Sequence, residues 1–265
     1  MAAFVAVADD ASAVVWNPAG LVTGPTFNLL LDFAHNVHEP VTTPASGGEA
    51  ANGSATLFAL GTLPIGLTYY RLTATEAVSV ADEPAGVGTP DRQDSQVLVR
   101  TLVTSHLGAT IQQSLGSHFT LGTTVKLVRG EVGAVVRTAS SWEEALETGD
   151  GFDRTASTQG DLDIGAMAYA GRFRLGVVVR NVTEPSFGPA DDVETRTLAR
   201  YARAGIAWGN RWTGISSTVV AFDADLTRVA AVGGERRDVA GGVEQWLARR
   251  RFGVRGGVAK KLALC

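Results

Sequence analysis

Apolar and polar residues alternate with a period of two along most of this chain, in stretches of about 8 to 12 residues broken by short polar or glycine-containing turns. Successive side chains on a strand point to opposite faces, so this pattern reads as strands joined into hairpins. One hairpin begins at Ser105–Ile111, turns near Leu115, Gly116 and Ser117, and returns through Phe119, Leu121, Thr123, Val125 and Leu127. Thr120, Gly122, Thr124 and Lys126 face the other way. A second sets Leu162, Ile164, Ala166 and Ala168 on one face and turns at Ala170 and Gly171. It continues with Phe173, Leu175, Val177 and Val179 against Arg174, Gly176, Val178 and Arg180. A third runs from Tyr201 to Trp208, turns through Gly209, Asn210 and Arg211, and extends past Ile215, Ser217 and Val219 to Asp225. A fourth uses Val239, Gly241 and Val243 and turns at residues 248–251 into Phe252–Gly256. With strands expected at Phe27–Ala34, Ala55–Leu60 and Ile65–Thr73, the total is about ten to eleven, which makes a meander the economical topology.

Asn36–Gly53 and Glu76–Asp94 are rich in Pro, Gly, Ala and acidic residues and are expected to be loops. Gly133–Gln159 is expected to be a loop holding a short helix, because Ser141 and Glu144 have capping-box spacing. Short turns alternating with long loops suit an outer-membrane barrel. A soluble β-sandwich shows the same contrast.

The composition narrows the function. The net charge of −4 has no basic surplus, so nucleic acid is not an expected partner. Cys265 is the one cysteine, which excludes an intrachain disulfide or thiolate metal cage. No apolar run approaches the ~18 residues of a membrane helix, so any membrane crossing is by strands. His35 and His38 are expected in a loop after a strand, with no further ligands to complete a metal site. Asp150, Gly151, Phe152 and Asp153 hint at a calcium loop without its oxygen series and read as a turn. Asp223 and Asp225 share one strand face and are expected to pair with Arg or Lys. No nucleophile elbow, phosphate loop or zinc motif occurs, so neither an enzyme, a metal nor a cofactor is expected.

Alternation alone leaves open whether the apolar faces meet lipid or a protein core. If they meet lipid, Lys126, Asp161, Asp163, Arg180, Asp223, Asp225, Glu244 and Arg255 face a lumen. If not, those charges form the solvated face of a soluble β-rich binding module.

Residues Phe4–Leu21, reading FVAVADDASAVVWNPAGL, resemble the N-terminal motif of the FadL/PorV group of outer-membrane barrels. Phe119–Lys126, Asp161–Ala166 with Leu175–Val182, and Gly242–Trp246 with Phe252–Gly257 are similar to later stretches of that group in the same order. The resemblance implies an all-β, antiparallel up-and-down transmembrane barrel, with residues 1–24 as a hatch that carries Asn17, Pro18, Ala19 and Gly20 into the lumen and residues 25–265 as barrel. It implies transport of small hydrophobic compounds such as long-chain fatty acids or, in the alternative, a barrel that binds and hands on secreted proteins. The expected partners are membrane lipid with a hydrophobic ligand or a secreted protein, and the expected location is the bacterial outer membrane. Group members carry a signal peptide before the motif and further strands at the end. Since Met1 falls almost inside the motif and Ala259–Cys265 does not read as a closing strand, a fragment clipped at both ends is expected, its signal peptide and closing strands missing.

Overall fold

The computed structural model describes residues 5–8, 10–23, 26–38, 44, 47–80, 95–147, 151, 153–188, 195–210, 217–231, 234–247 and 251–263. An N-terminal segment comes first, with one helical turn, α1 (Ala13–Trp16), and a 3-10 helix over Pro18–Thr23. The strands follow as β1 (Phe27–His38), β2 (Glu49–Thr62), β3 (Ile65–Ser79), β4 (Ser95–Leu115) and β5 (Phe119–Ala139). After helix α2 (Trp142–Glu147) come β6 (Thr155–Ala170), β7 (Phe173–Arg180), β8 (Ser186–Phe187) and β9 (Arg196–Thr197). The chain ends with β10 (Tyr201–Gly209), β11 (Ser217–Asp225), β12 (Val229–Ala231), β13 (Gly234–Leu247) and β14 (Phe252–Ala263).

One antiparallel sheet runs β1-β2-β3-β4-β5-β6-β7-β10-β11-β13, with β14 on the far side of β13 and β12 continuing the β11 side. The small β8–β9 hairpin is separate. Thr, Val and other β-branched residues fill the long strands, as a pleated, half-buried surface favours. Connections are tight at one end of the sheet: Leu63–Pro64 joins β2 to β3, and Gly116 and Gly171 supply the positive φ (68° and 60°) that turns β4 into β5 and β6 into β7. Longer segments connect the strands at the other end.

The sheet curls. Arg180 on β7 donates to the Tyr70 hydroxyl on β3 at 3.3 Å, yet these strands lie four places apart and would be separated by about 19 Å in a flat sheet. The N-terminal segment fills the concave side, where Val14 and Leu21 meet Ala59 on β2 and Ala6 meets Ala207, Ala221 and Ala240 on β10, β11 and β13. The all-β up-and-down architecture is thus present, but no strand joins β1 to β14, and among the described residues the sheet is not a closed barrel.

Several boundaries differ from expectation. β1 runs on to His38, placing His35 within a strand and His38 at its end rather than in a loop, because pairing with Ser54 and Ala51 of β2 extends the ladder past the apolar run. The expected loops shrink in the same way: β2 starts at Glu49, β3 reaches Ser79, β5 reaches Ala139 and β6 starts at Thr155. Ala259–Ala263 continue β14 in register with Arg236–Ala240, so this lysine-containing stretch is strand after all. Helix α2 forms where the capping spacing placed it, and Ser141 Oγ accepts from the Glu144 amide at 3.2 Å. The Glu144 carboxylate answers the amide and hydroxyl of Ser140, both at 2.9 Å. Asp150, Phe152, Arg211 and Ile215 lie outside the described residues.

Candidate functional site

Toward the tight-turn end the outer face of the sheet is mostly apolar and exposed. Leu31, Phe58, Tyr69, Leu107 and Leu127 form one continuous cross-strand row from β1 to β5, all exposed. Another joins Leu115, Phe119, Ala168, Leu175, Ile206, Phe222, Gly241 and Val258 across β4 to β14. Along β5 the outward residues stay mostly apolar from Phe119 to Leu127 and then become charged, with Arg129 Nε 3.2 Å from Glu131 Oε1. That change is shared: Thr56, Arg71, Ser105, Arg129 and Thr158 make the next row beyond Leu127 from β2 to β6. Farther on, the same face of β2 to β5 is covered by α2, whose Trp142, Ala145 and Leu146 bury Ala50, Ala77, Val97 and Val99.

The inner face is filled in layers. At the tight-turn end lies the N-terminal segment. Pro18 has no amide to satisfy and suits the first position of the 3-10 helix, and Asn17 before it is extended (φ −160°, ψ 105°). Asn17 is fully buried; its side-chain oxygen accepts from the Ala19 amide at 3.1 Å, and its nitrogen donates to the carbonyls of Val5 at 2.9 Å and Ala166 at 3.3 Å. The segment presses on glycines. A Cβ at Gly122 would fall on the Pro18–Ala19 peptide, at Gly165 on Asn17 and Pro18, and at Gly176 on Val5. These three glycines stand on the inner faces of β5, β6 and β7, so the strands lack side chains where the segment needs room.

Beyond the segment sits a buried ion cluster. Lys126, 1% exposed, places Nζ 2.8 Å from Asp161 and 2.7 Å from Asp163. Asp161 lies directly across the ladder from Lys126, and Asp163 is two residues on along the same face of β6. Arg180 approaches Asp163 at 3.8 Å, while the amides of Asn181 and Thr183 donate to Asp163 and Asp161 at 2.9 and 3.3 Å. Tyr70, which receives Arg180, stacks on His106 at 4.0 Å between ring centroids, and His106 bonds Thr104 at 3.0 Å. Two cations against two carboxylates leave the cluster neutral, as burial demands. The β8–β9 hairpin covers it, with Phe187 fully buried against Val128, Val132 and Gly130.

A second cluster lies on β10 and β11. Arg203 faces Asp223 at 3.7 Å and Asp225 at 3.5 Å, and Tyr201 donates to Asp225 at 2.6 Å. The Val5 amide donates to Asp223 at 3.0 Å, tying the N-terminal segment to this cluster, and the Asp238 amide donates to Asp225 at 2.7 Å.

The residues singled out in the sequence therefore divide. Lys126, Asp161, Asp163, Asp223 and Asp225 are buried on the inner face, with Arg180 partly buried beside them. Asn17, Pro18, Ala19 and Gly20 pack there too. Glu244 shares that face through its pairing with Val219, but its carboxylate takes the Trp246 indole N–H, and Arg255 opposite it is exposed on β14. Tyr70, His106, Tyr201, Arg203, Asn181 and Phe187 went unselected. For Tyr70, His106 and Arg203 a signal existed, since each sits in phase with the inward residues of its strand; Phe187 lies in the two-residue strand β8, too short to show a periodicity. Among the described residues no His, Asp, Glu or Cys group has the arrangement of a metal site. Among the described residues no helix is long and apolar enough to cross a membrane.

Comparison with known proteins corrects the family expected above. A family model described as "F plasmid transfer operon, TraF, protein" matches residues 45–219 of the 265, from just before β2 to the start of β11. That match overturns the resemblance to the FadL/PorV group. With it fall the expected transport of fatty acids or other small hydrophobic compounds and the expected role in handing on secreted proteins. The physical reason is that glycine-spaced alternating strands arise wherever a sheet curls around a packed segment, and the Phe4–Leu21 motif lies outside the matched residues. No curated protein and no solved structure matches the chain. With a model covering more than half its length, the chain belongs to the family of F plasmid transfer operon TraF proteins.

Proposed function

We propose that this protein is a membrane-spanning β-barrel with a filled interior, set in the bacterial outer membrane, that serves plasmid transfer without catalysing a reaction. The observation that carries the reading is the outer apolar belt. Soluble proteins rarely expose contiguous apolar patches beyond a few hundred Å², whereas here every strand of the meander from β1 to β14 carries at least one exposed large apolar residue on its outward face. The Phe119–Leu127 stretch is nine residues, matching the ~9–11 of a tilted transmembrane strand. On β2 to β6 the belt stops at the polar row through Arg71 and Arg129, as an interface with headgroups requires. Membrane lipid is then the partner of the outer face, while the buried ion clusters stabilise the interior.

Family membership supports the cellular setting. Plasmid transfer moves DNA out of a cell, so its apparatus crosses the envelope, and a strand-built membrane protein fits an outer membrane. The test has two arms. Cell fractionation of a donor strain is expected to place the full-length protein with outer-membrane barrels, and deleting its gene is expected to lower transfer frequency while a plasmid-borne copy restores it. Recovery in the soluble fraction refutes the membrane reading, and unchanged transfer refutes the role.

A further inference from the structure

The two edges of the curled sheet run in the same direction. From β1 to β14 the sheet takes ten steps between neighbours, and every one is antiparallel. An even number of reversals returns the original direction, so β1 and β14 are parallel, both running from the tight-turn end to the long-connection end. Each is twelve residues long, with a neighbour on one side only among the described residues. Both alternate large apolar residues outward, Phe27, Leu29 and Leu31 on one and Phe252, Val254 and Val258 on the other, all exposed.

We propose that the gap between β1 and β14 takes one extended polypeptide strand, running from the long-connection end to the tight-turn end and antiparallel to both edges. This rests on the membrane-barrel reading. In lipid each unpaired backbone amide costs several kcal/mol, so an open edge is not tolerated at that depth. Barrels of a single chain in the bacterial outer membrane close with an even number of antiparallel strands, and the meander from β1 to β14 holds eleven. A second copy in the same membrane orientation offers only strands parallel to these edges at its own rims, so it does not satisfy the geometry. The occupant is recognised mainly through its backbone and carries alternating apolar residues on the lipid side, as in β-strand addition to an exposed edge.

The experiment uses the full chain with Cys265→Ser, folded into phosphatidylcholine vesicles. Cysteine pairs, one from Leu29→Cys or Leu31→Cys and one from Val254→Cys or Val258→Cys, are oxidised in every combination. The probe is a twelve-residue peptide of alternating Leu and Thr with an N-terminal cysteine. It is offered to single-cysteine variants at the far end of β1, Val37→Cys, and toward the far end of β14, Lys260→Cys, and at their near ends, Phe27→Cys and Phe252→Cys. An inserted antiparallel strand predicts no direct disulfide between β1 and β14, and capture of the peptide at least about fivefold more at Val37→Cys and Lys260→Cys than at the near ends. Direct disulfides between the edges overturn the inference by showing parallel closure while leaving the membrane reading intact. Equal or absent peptide capture also overturns it. Failure of the chain to float with vesicles overturns the membrane reading beneath it.

Discussion

The two buried ion clusters use the same residue types on the same face of the sheet and hold different things together. Lys126, Asp161, Asp163 and Arg180 are balanced in charge, and their remaining bonds go to residues 181–183, where the chain leaves β7, and to Tyr70 on β3. Arg203, Asp223 and Asp225 have one cation for two carboxylates, and the deficit is met by a tyrosine hydroxyl and two backbone amides. One of those amides belongs to Val5. The first cluster therefore fastens strand to strand and covers itself with the β8–β9 hairpin, whereas the second fastens the N-terminal segment to the wall. Charge balance tells which cluster is self-sufficient and which needs a partner from elsewhere in the chain.

The largest effect expected from breaking this contrast is Lys126→Met. It leaves two buried carboxylates with only the more distant Arg180, and losing one partner of a buried ion pair costs about 3–5 kcal/mol. Urea unfolding in micelles measures it; a variant as stable as the parent shows that the cluster does not hold β5 to β6. Next comes Asp223→Ala, which removes the acceptor of the Val5 amide and is expected to cost about 1–3 kcal/mol. Its distinguishing effect is faster proteolysis within residues 5–23 while the β-sheet circular dichroism signal stays, and Lys126→Met is not expected to expose that segment selectively. Equal exposure in both variants erases the distinction between the clusters. Tyr70→Phe removes the bond that ties β3 to β7 across the interior and is expected to cost about 0.5–1.5 kcal/mol, read from the same unfolding curves.

The smallest effect lies outside the sheet. Hydrogen bonds from the Ser140 amide and hydroxyl favour the charged Glu144 carboxylate and hold its pKa below the usual value. A lowered pKa in the folded state means that this stabilisation is present above the ordinary carboxylate pKa and is lost as pH falls through the lowered value. Acid is thus expected to loosen α2 slightly, visible as increased fluorescence quenching of Trp142, and Glu144→Gln is expected to remove that pH dependence.

What the sequence made legible follows from how local each signal is. Period-two alternation placed Lys126, Asp161, Asp163, Asp223 and Asp225 on the polar faces of their strands, because within a strand the phase of one residue fixes all the others, but it left open whether that face was buried or solvated. The α2 cap was equally readable, since Ser141 and Glu144 are three residues apart. Strand ends were not: residues 35–38, 133–139 and 259–263 are strand because a neighbour supplies ladder partners, which composition does not record. Nor was the Arg180–Tyr70 bond, which depends on curvature accumulated over four inter-strand steps. The family was misread because the longest apparent motif, Phe4–Leu21, lies where the family model does not reach.

The claim on which the rest depends is that the apolar outer face meets lipid. The most direct measurement is a nitroxide scan of β5 from residue 119 to residue 131, one label at a time in the Cys265→Ser background, in lipid vesicles with oxygen and a water-soluble nickel chelate as collision probes. Oxygen accessibility is expected to oscillate with period two, high at Leu121, Val125 and Leu127 and low at Thr124 and Lys126, with nickel access rising at Arg129 and Glu131. Nickel access equal at Val125 and Arg129 would contradict the account, because the belt would then face water.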